Sequence, residues 1–455
     1  MKPELKCPES SKTAIVIGGG IFGLCRAYAL KKAGYAVKLL EKEERVGGVI
    51  QSVSEGGFLA DRGPNTLRTG DVKVLNFFNE IGLGEQLVEC TAASNDRYIV
   101  YKGELVKAPR SLGEFLRTPV FSLKGKLRIA LELFVAKGKI SENESVQEFF
   151  ERRFGKEVVE YGVDPFICGV YAGNPSKLSM QHVFPRIFKM EREVGSVLKG
   201  LIQAKKEGRG KLKSKAKVLS FAGGMECLTE RLTKILKEEI ELGVEAQSIS
   251  YRGERWEVVW KEGGEVFNKL VDELMVTAPA YALGNLPFEA TLKEQLQLLN
   301  EVKYAPIVTV SYGFREAQVK GLLSGFGFLV PSREPFTILG TLFTSNLFSG
   351  RASKGYVLLT TFLGGEHHPE LIQLSDTQQD EIIMKDLRQL LKIEGDPIWK
   401  DRMRWVKSIP QYELGYNCFL ERLQSIEEQY KGLQFLGNYR NGVSLEDGIK
   451  VGLRL

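Results

Sequence analysis

Thr13-Ala14-Ile15-Val16-Ile17-Gly18-Gly19-Gly20-Ile21-Phe22-Gly23 runs from a short apolar segment straight into a Gly-x-Gly-x-x-Gly pattern made by Gly18, Gly20 and Gly23. Ala14 to Ile17 carries no polar residue, as expected of a parallel strand buried on both faces. Leu24 to Ala33 reads as a helix that stops at Gly34, and Tyr35 to Leu40 as a second strand finishing at Glu41. The result is a β-α-β unit. Its glycines let backbone approach a pyrophosphate, the helix N-terminus faces that charge, and Glu41 can accept ribose hydroxyls. A glycine triplet alone is common in tight turns; the strand, helix and acid around it make dinucleotide binding the better reading.

Moving outward, Glu44-Arg45-Val46-Gly47-Gly48 follows the second strand at once. A Gly-Gly pair there resembles the second fingerprint of FAD proteins, in which Arg45 lies near the phosphates and Gly47 and Gly48 allow close passage of the ribityl chain. No second Gly-x-Gly-x-x-Gly unit follows downstream, so a separate NADPH domain is not expected. Electrons then leave the flavin for oxygen or a diffusible carrier.

The inventory narrows the chemistry further. A chain of 455 residues suggests roughly two to four domains. Its 43% hydrophobic content is enough for sizeable cores. Sixty-three basic against fifty-seven acidic residues leave +6, too weak a bias to suggest nucleic acid. The six cysteines (Cys7, Cys25, Cys90, Cys168, Cys227, Cys418) are scattered, and with only His182, His367 and His368 no metal site is expected. No Gly-x-Ser-x-Gly elbow supports serine chemistry. Met1 to Lys12 has no apolar signal core, and no apolar run reaches the ~20 residues that span a bilayer. A cytoplasmic protein, soluble or on a membrane surface, is expected.

Along the rest of the chain, Asp61-Arg62-Gly63-Pro64-Asn65 ends a short strand in a turn. Asp71 to Leu83 has the pattern of an amphipathic helix stopped by Gly84, and Arg97 to Val106 reads as a hairpin turning at Lys102-Gly103. Helical periodicity dominates from Leu112 to Leu201. A basic run (Lys205, Lys206, Arg209, Lys211, Lys213, Lys215, Lys217) closes that section; it is a solvated loop or a contact for anionic lipid.

Val163-Asp164-Pro165-Phe166-Ile167-Cys168-Gly169-Val170-Tyr171-Ala172-Gly173-Asn174-Pro175-Ser176-Lys177-Leu178-Ser179-Met180 resembles the protoporphyrinogen oxidases, oxygen-dependent flavoenzymes of haem biosynthesis within the flavin amine oxidase superfamily. Further blocks agree in order: Phe221-Ala222-Gly223-Gly224-Met225, Leu339 to Phe343, Trp405 with Ile409-Pro410-Gln411-Tyr412, and Leu436-Gly437-Asn438-Tyr439 with Gly442-Val443-Ser444. The resemblance runs from about Thr13 to Gly452.

It implies an α/β (α+β overall) architecture. A Rossmann-like FAD-binding domain is expected over 10–88, 218–290 and 404–455, a mixed β-sheet substrate domain over 89–105 and 291–403, and a helical membrane-binding domain over 106–217. It also implies non-covalent FAD, a porphyrinogen substrate, oxygen as acceptor and attachment to the inner face of an anionic membrane, and it is compatible with a homodimer. Flavin chemistry needs no catalytic side chain, only orientation and a dry cavity. The cofactor residues implied are Gly18, Gly20, Ile21, Phe22, Gly23, Glu41, Lys42, Arg45, Gly47, Gly48, Gly63, Pro64, Asn65, Ala246, Trp405, Gly437, Gly442, Val443 and Ser444. For the substrate, Arg97 matches the arginine that pairs with a propionate. Leu329, Leu342 and Phe362 match residues that sandwich the tetrapyrrole, Gly169 a position where a side chain would crowd it, and Asn65 a polar residue near both ligands. Val49 and Ala246 depart from the family's usual residues. Two other activities share this pattern: coproporphyrinogen oxidation, and amine oxidation, which lacks support from the Pro165–Met180 block.

Overall fold

The computed structural model describes residues 12–138, 143–207, 216–297, 299, 301–321 and 324–454. Cys7 and the rest of the N-terminal segment read above up to residue 11, and Arg209, Lys211, Lys213 and Lys215 of the basic run, lie outside the described residues.

Thr13–Ile17 is the central strand of a five-stranded parallel sheet. Ala36–Glu41 pairs with it on one side and Glu273–Val276 on the other, with Ile240–Leu242 and Leu433–Phe435 at the edges. Three well-separated stretches of chain therefore build one sheet. Ala14, Ile15 and Val16 are wholly buried, which is why they can be apolar without alternation. The helix after the first strand spans Ile21–Lys32, three residues earlier than its composition suggests. Gly20 is its N-cap, so Ile21, Phe22 and Gly23 are already helical. At the far end Gly34 adopts φ +85°, the stop read from sequence.

A second sheet has seven strands in the order Trp399–Pro410, Tyr304–Arg315, Tyr356–Gly364, Gly340–Leu342, Gly327–Leu329, Tyr98–Tyr101 and Glu104–Lys107. It is mixed, because Gly327–Leu329 runs parallel to Tyr98–Tyr101 while every other neighbouring pair is antiparallel. The hairpin turns through Lys102 and Gly103, both at positive φ, the twist that suits a two-residue connection. Trp399–Pro410 belongs wholly to this sheet, so a boundary at residue 404 would cut a strand.

Two element boundaries differ from the sequence reading for local reasons. The helix after Asp71 ends at Glu80, and Gly82 at φ +76°, not Gly84, provides the left-handed stop. Phe435 ends its strand, and the apolar-rich 435–439 stretch, which reads as one strand, turns instead into the helical turn Asn438–Asn441.

Helices fill most of the chain from Leu112 to Lys206. They are tied by Arg153 and Glu132, both fully buried. Glu132 accepts from Arg153 Nε at 2.8 Å, from Ser196 Oγ at 2.6 Å and from the N–H of Val197 at 2.9 Å, so one carboxylate neutralises an arginine and caps helix Val197–Lys206. Burial raises the Glu132 pKa, but the bonds from Ser196, Arg153 and the helix N–H groups outweigh it and the net shift is downward. Leaving Arg153 alone in this interior would cost about 3–5 kcal/mol.

Candidate functional site

The two glycine motifs meet. Gly47 at φ +102° and Gly48 at φ +56° adopt backbone conformations that side chains resist. The Gly47 N–H donates to Gly19 O at 2.8 Å, and a Cβ on Gly48 would lie 3.6 Å from the Cα of Gly20. Gly23 is fixed by packing, because a Cβ there would overlap the carbonyl oxygen of Gly18. Gly20 is different. A Cβ on it would meet nothing within 4 Å, and its helix has neither a side-chain cap nor an acid in the first turn. That N-terminus is free to bind an anion.

Glu41 is buried at the end of its strand, accepts from Gly19 N at 2.5 Å and from Glu43 N at 3.0 Å, and so also braces the glycine loop. Lys42 beside it is exposed. Arg45 donates to the carbonyls of Val46 at 2.6 Å, Gly48 at 2.8 Å and Ile50 at 3.1 Å. Its guanidinium holds the Gly47-Gly48 turn in shape rather than reaching freely toward a phosphate.

Other segments close around this cradle. A Cβ on Gly63 would overlap Val49 O, and Pro64 leads to buried Asn65, whose Nδ2 donates to Gly63 O at 2.9 Å while its Oδ1 has no partner. Trp405 Nε1 donates to Arg62 O at 2.9 Å, pinning the same turn to the mixed sheet. Ala246 opens a strand next to a β-bulge, and the N–H of Val244 just before it bonds Glu41 O at 2.9 Å. At the C-terminal side, Gly437 precedes the Asn438 turn, Gly442 has φ +100° and Val443 is half-buried. Ser444 caps helix Leu445–Gly452 by accepting from Asp447 N at 3.1 Å. That helix packs on Ile21–Lys32 through Gly448 and Gly452; a Cβ on Gly452 would lie 2.5 Å from the Cβ of Cys25. Glu446 and Asp447 in its first turn disfavour a phosphate there, so of the two N-termini the one at Gly20 is the better suited to an anion. The bare helix N-terminus, the orphan Asn65 oxygen and the converging glycines fit a dinucleotide.

Beside the cradle, Leu329 pairs with Gly340, Gly340 with Phe362, and Leu342 with Gly327. The pleat then sends Leu329, Leu342 and Phe362 to one face, where all three are half-buried. Across from them, a Cβ on Gly169 would lie 2.5 Å from Leu329 Cδ2, so helix Asp164–Tyr171 leans directly on this face. Arg97 lies just before the hairpin, its guanidinium 4.8 Å from the centroid of the Phe326 ring. Among the described residues no carboxylate pairs with it. The residue is exposed, yet surrounding protein desolvates its head group, and Arg68 and Arg110 add repulsion; all three lower its pKa from the usual arginine value while it stays a cation. Arg110 is paired with Asp96, whereas Arg68 is exposed with no carboxylate partner among the described residues. Arg68, opposite Val218 in a small sheet, was not singled out by the sequence reading.

The family model described as flavin containing amine oxidoreductase matches residues 22–455. The chain belongs to the flavin-containing amine oxidoreductases. Within that family it is 34% identical to protoporphyrinogen oxidase 2 of Arabidopsis thaliana, over 98% of this chain and 93% of the relative. It is 28% identical to coproporphyrinogen III oxidase of Bacillus subtilis, over 98% and 97%. A crystal structure of a candidate protoporphyrinogen oxidase from Exiguobacterium sp. 255-15 superposes with a TM-score of 0.80 at 26% identity, covering 98% of this chain and 97% of the other. A flavin in a dinucleotide cradle is FAD, and the protein is an FAD-dependent oxidoreductase.

Proposed function

We propose that this flavin oxidoreductase converts protoporphyrinogen IX to protoporphyrin IX, with oxygen taking the electrons. The observation that carries the reading is one sheet face presenting Leu329, Leu342 and Phe362, with Arg97 at its edge lacking a carboxylate partner among the described residues. A tetrapyrrole macrocycle is a broad apolar body with propionates on its rim, puckered at its methylene bridges before oxidation and flat after it. The three side chains pack against the macrocycle and exclude water, while Arg97 takes a propionate in a bidentate pair. Asn65 Oδ1 and Gly169 complete the walls. When bound, the flavin supplies the hydride acceptor. The residues supply position, and no side chain is assigned as general base.

Coproporphyrinogen III is the alternative substrate, named by the relative from Bacillus subtilis. It carries four propionates where protoporphyrinogen carries two, and two arginines without a carboxylate partner among the described residues, Arg97 and Arg68, suit the smaller number. Mixing FAD-loaded enzyme anaerobically with each porphyrinogen tests this. Faster bleaching of the flavin by protoporphyrinogen is expected; the reverse order moves the assignment to coproporphyrinogen, and no bleaching by either removes both.

Our reading also docks the protein on the cytoplasmic face of an anionic membrane. No helix among the described residues is long and apolar enough to cross one. Leu112, Leu123 and Phe134 are nevertheless 75%, 85% and 82% exposed on neighbouring helical segments, with Arg117 and Lys124 exposed among them. Apolar tips between cations are what an interfacial contact needs. Burying one such side chain contributes about 1.5–3 kcal/mol, so Leu123→Asp is expected to weaken binding to phosphatidylglycerol vesicles roughly ten-fold or more. Equal co-sedimentation of variant and parent would remove this surface from the interface.

A further inference from the structure

Asp164, Cys168 and His367 bring three kinds of ligand atom to one point, all within 4.8 Å of one another. Asp164 and Cys168 stand four residues apart on helix Asp164–Tyr171 and share a face. His367 comes from the turn that follows strand Tyr356–Gly364. Cys168 Sγ lies 3.8 Å from Asp164 Oδ1, and His367 Nε2 lies 3.5 Å from that same oxygen. A tetrahedral ion with a thiolate at about 2.3 Å and nitrogen or oxygen at about 2.0–2.2 Å has ligand-to-ligand edges of roughly 3.3–3.7 Å. The two measured separations agree with those edges to within a few tenths of an ångström.

Two further observations point the same way. His367 Nε2 is buried and makes no hydrogen bond, although it faces a carboxylate. Asp164 Oδ2 accepts from the N–H of Ser332 at 2.7 Å, which fixes the carboxylate and turns Oδ1 toward the cluster. An outer hydrogen bond of that kind normally orients a ligating carboxylate. Asp164 and Cys168 are both buried.

We propose that Asp164 Oδ1, Cys168 Sγ and His367 Nε2 bind one divalent transition ion of the zinc type, with water as fourth ligand. The mixture of sulfur, nitrogen and oxygen suits zinc or cobalt and disfavours magnesium or calcium, which take oxygen. As the sulfur–metal bond forms, the thiol proton leaves to solvent; nothing is oxidised or reduced, and affinity rises with pH. The ion ties the helix carrying Gly169 to the chain just beyond the strand carrying Phe362. Cys168 and Phe362 already meet in one small apolar cluster with Ala172, Ile307 and Leu339. Occupancy therefore fixes the spacing between two walls of the cleft. That consequence rests on the proposed substrate reading, whereas metal binding does not.

The test uses FAD-loaded protein freed of metal by a chelator and titrated with cobalt(II). Expected are one ion per chain and the red ligand-field bands of tetrahedral cobalt, at wavelengths where flavin does not absorb. Cys168→Ser loses those bands, and His367→Gln weakens binding by more than the roughly 10–100-fold that follows loss of an outer partner. His368→Gln, at the half-buried neighbouring histidine, and Cys418→Ser, at an exposed thiol, leave the titration unchanged. Retained FAD absorbance certifies that each variant is folded. Absence of the red bands from the parent protein overturns the site, as does their survival in both Cys168→Ser and His367→Gln. Cobalt binding without porphyrinogen turnover would overturn only the proposed function.

Discussion

Gly20→Val leaves the apoprotein folded and lowers its affinity for FAD about a hundred-fold or more. The backbone at Gly20 has φ −70° and ψ 179°, which any residue adopts, and a Cβ there meets no protein atom within 4 Å. The protein's own packing does not require this glycine. In the proposed placement, a pyrophosphate drawn against the bare N-terminus of Ile21–Lys32 is what requires it. A branched side chain holds that group away from the N–H donors. Two charge-assisted bonds at about 1.5–3 kcal/mol each amount to roughly 3–6 kcal/mol, or two or more powers of ten in Kd. Flavin-fluorescence titration reads the affinity and apoprotein melting reads the fold. Unchanged affinity would falsify the placement of the pyrophosphate, while a collapsed melting transition would show that the fold itself needs Gly20. Gly23→Val makes the contrast, since a Cβ there overlaps Gly18 O and costs stability with or without cofactor.

Arg97→Ala is expected to raise KM for protoporphyrinogen roughly ten- to a hundred-fold and to change kcat less. A bidentate arginine–carboxylate pair contributes about 1.5–3 kcal/mol, and it forms on binding rather than only in the transition state. The ring of Phe326 already supports the guanidinium from one side, so little order is lost when a propionate arrives. Arg97→Lys keeps the charge but loses the fork and falls between the two. Steady-state kinetics with the parent KM unaltered would remove Arg97 from substrate binding. An equal fall in kcat alone would give it a role in positioning the ring instead.

The cradle was legible because its signals are local. Gly18 and Gly20 sit between a strand and a helix that the apolar pattern reveals, Gly23 lies in that helix's first turn, and Gly47 and Gly48 follow soon after the next strand. The three apolar positions Leu329, Leu342 and Phe362 could be carried over by motif, but their shared face depends on register across three strands, which no single segment encodes. Other features depended on contacts far apart in the chain. Arg45 was placed toward phosphates, yet three nearby carbonyls capture it. Gly442, Val443 and Ser444 are implied cofactor residues, and Glu446 with Asp447 just beyond them make a charged part of the cofactor unfavourable there. Three scattered residues with no zinc-type spacing, Asp164, Cys168 and His367, gave no metal signal at all, because His367 reaches the other two only through the fold. Arg68 escaped notice for a similar reason, since a lone basic residue on a strand is usually solvated surface.

The packing of Gly448 and Gly452 against Ile21–Lys32 has a consequence for the order of events during synthesis. The glycine loop leaves the ribosome early, but the helix that presses on it comes more than four hundred residues later. At ~5–20 residues per second that interval is roughly 20–90 s. During it the first β-α-β unit lacks its last neighbour, and the five-stranded sheet lacks Leu433–Phe435 at its edge. An exposed strand edge over such a period invites wrong pairing. FAD supply during translation, more than FAD supplied afterwards, should then govern how much of the chain reaches its native state.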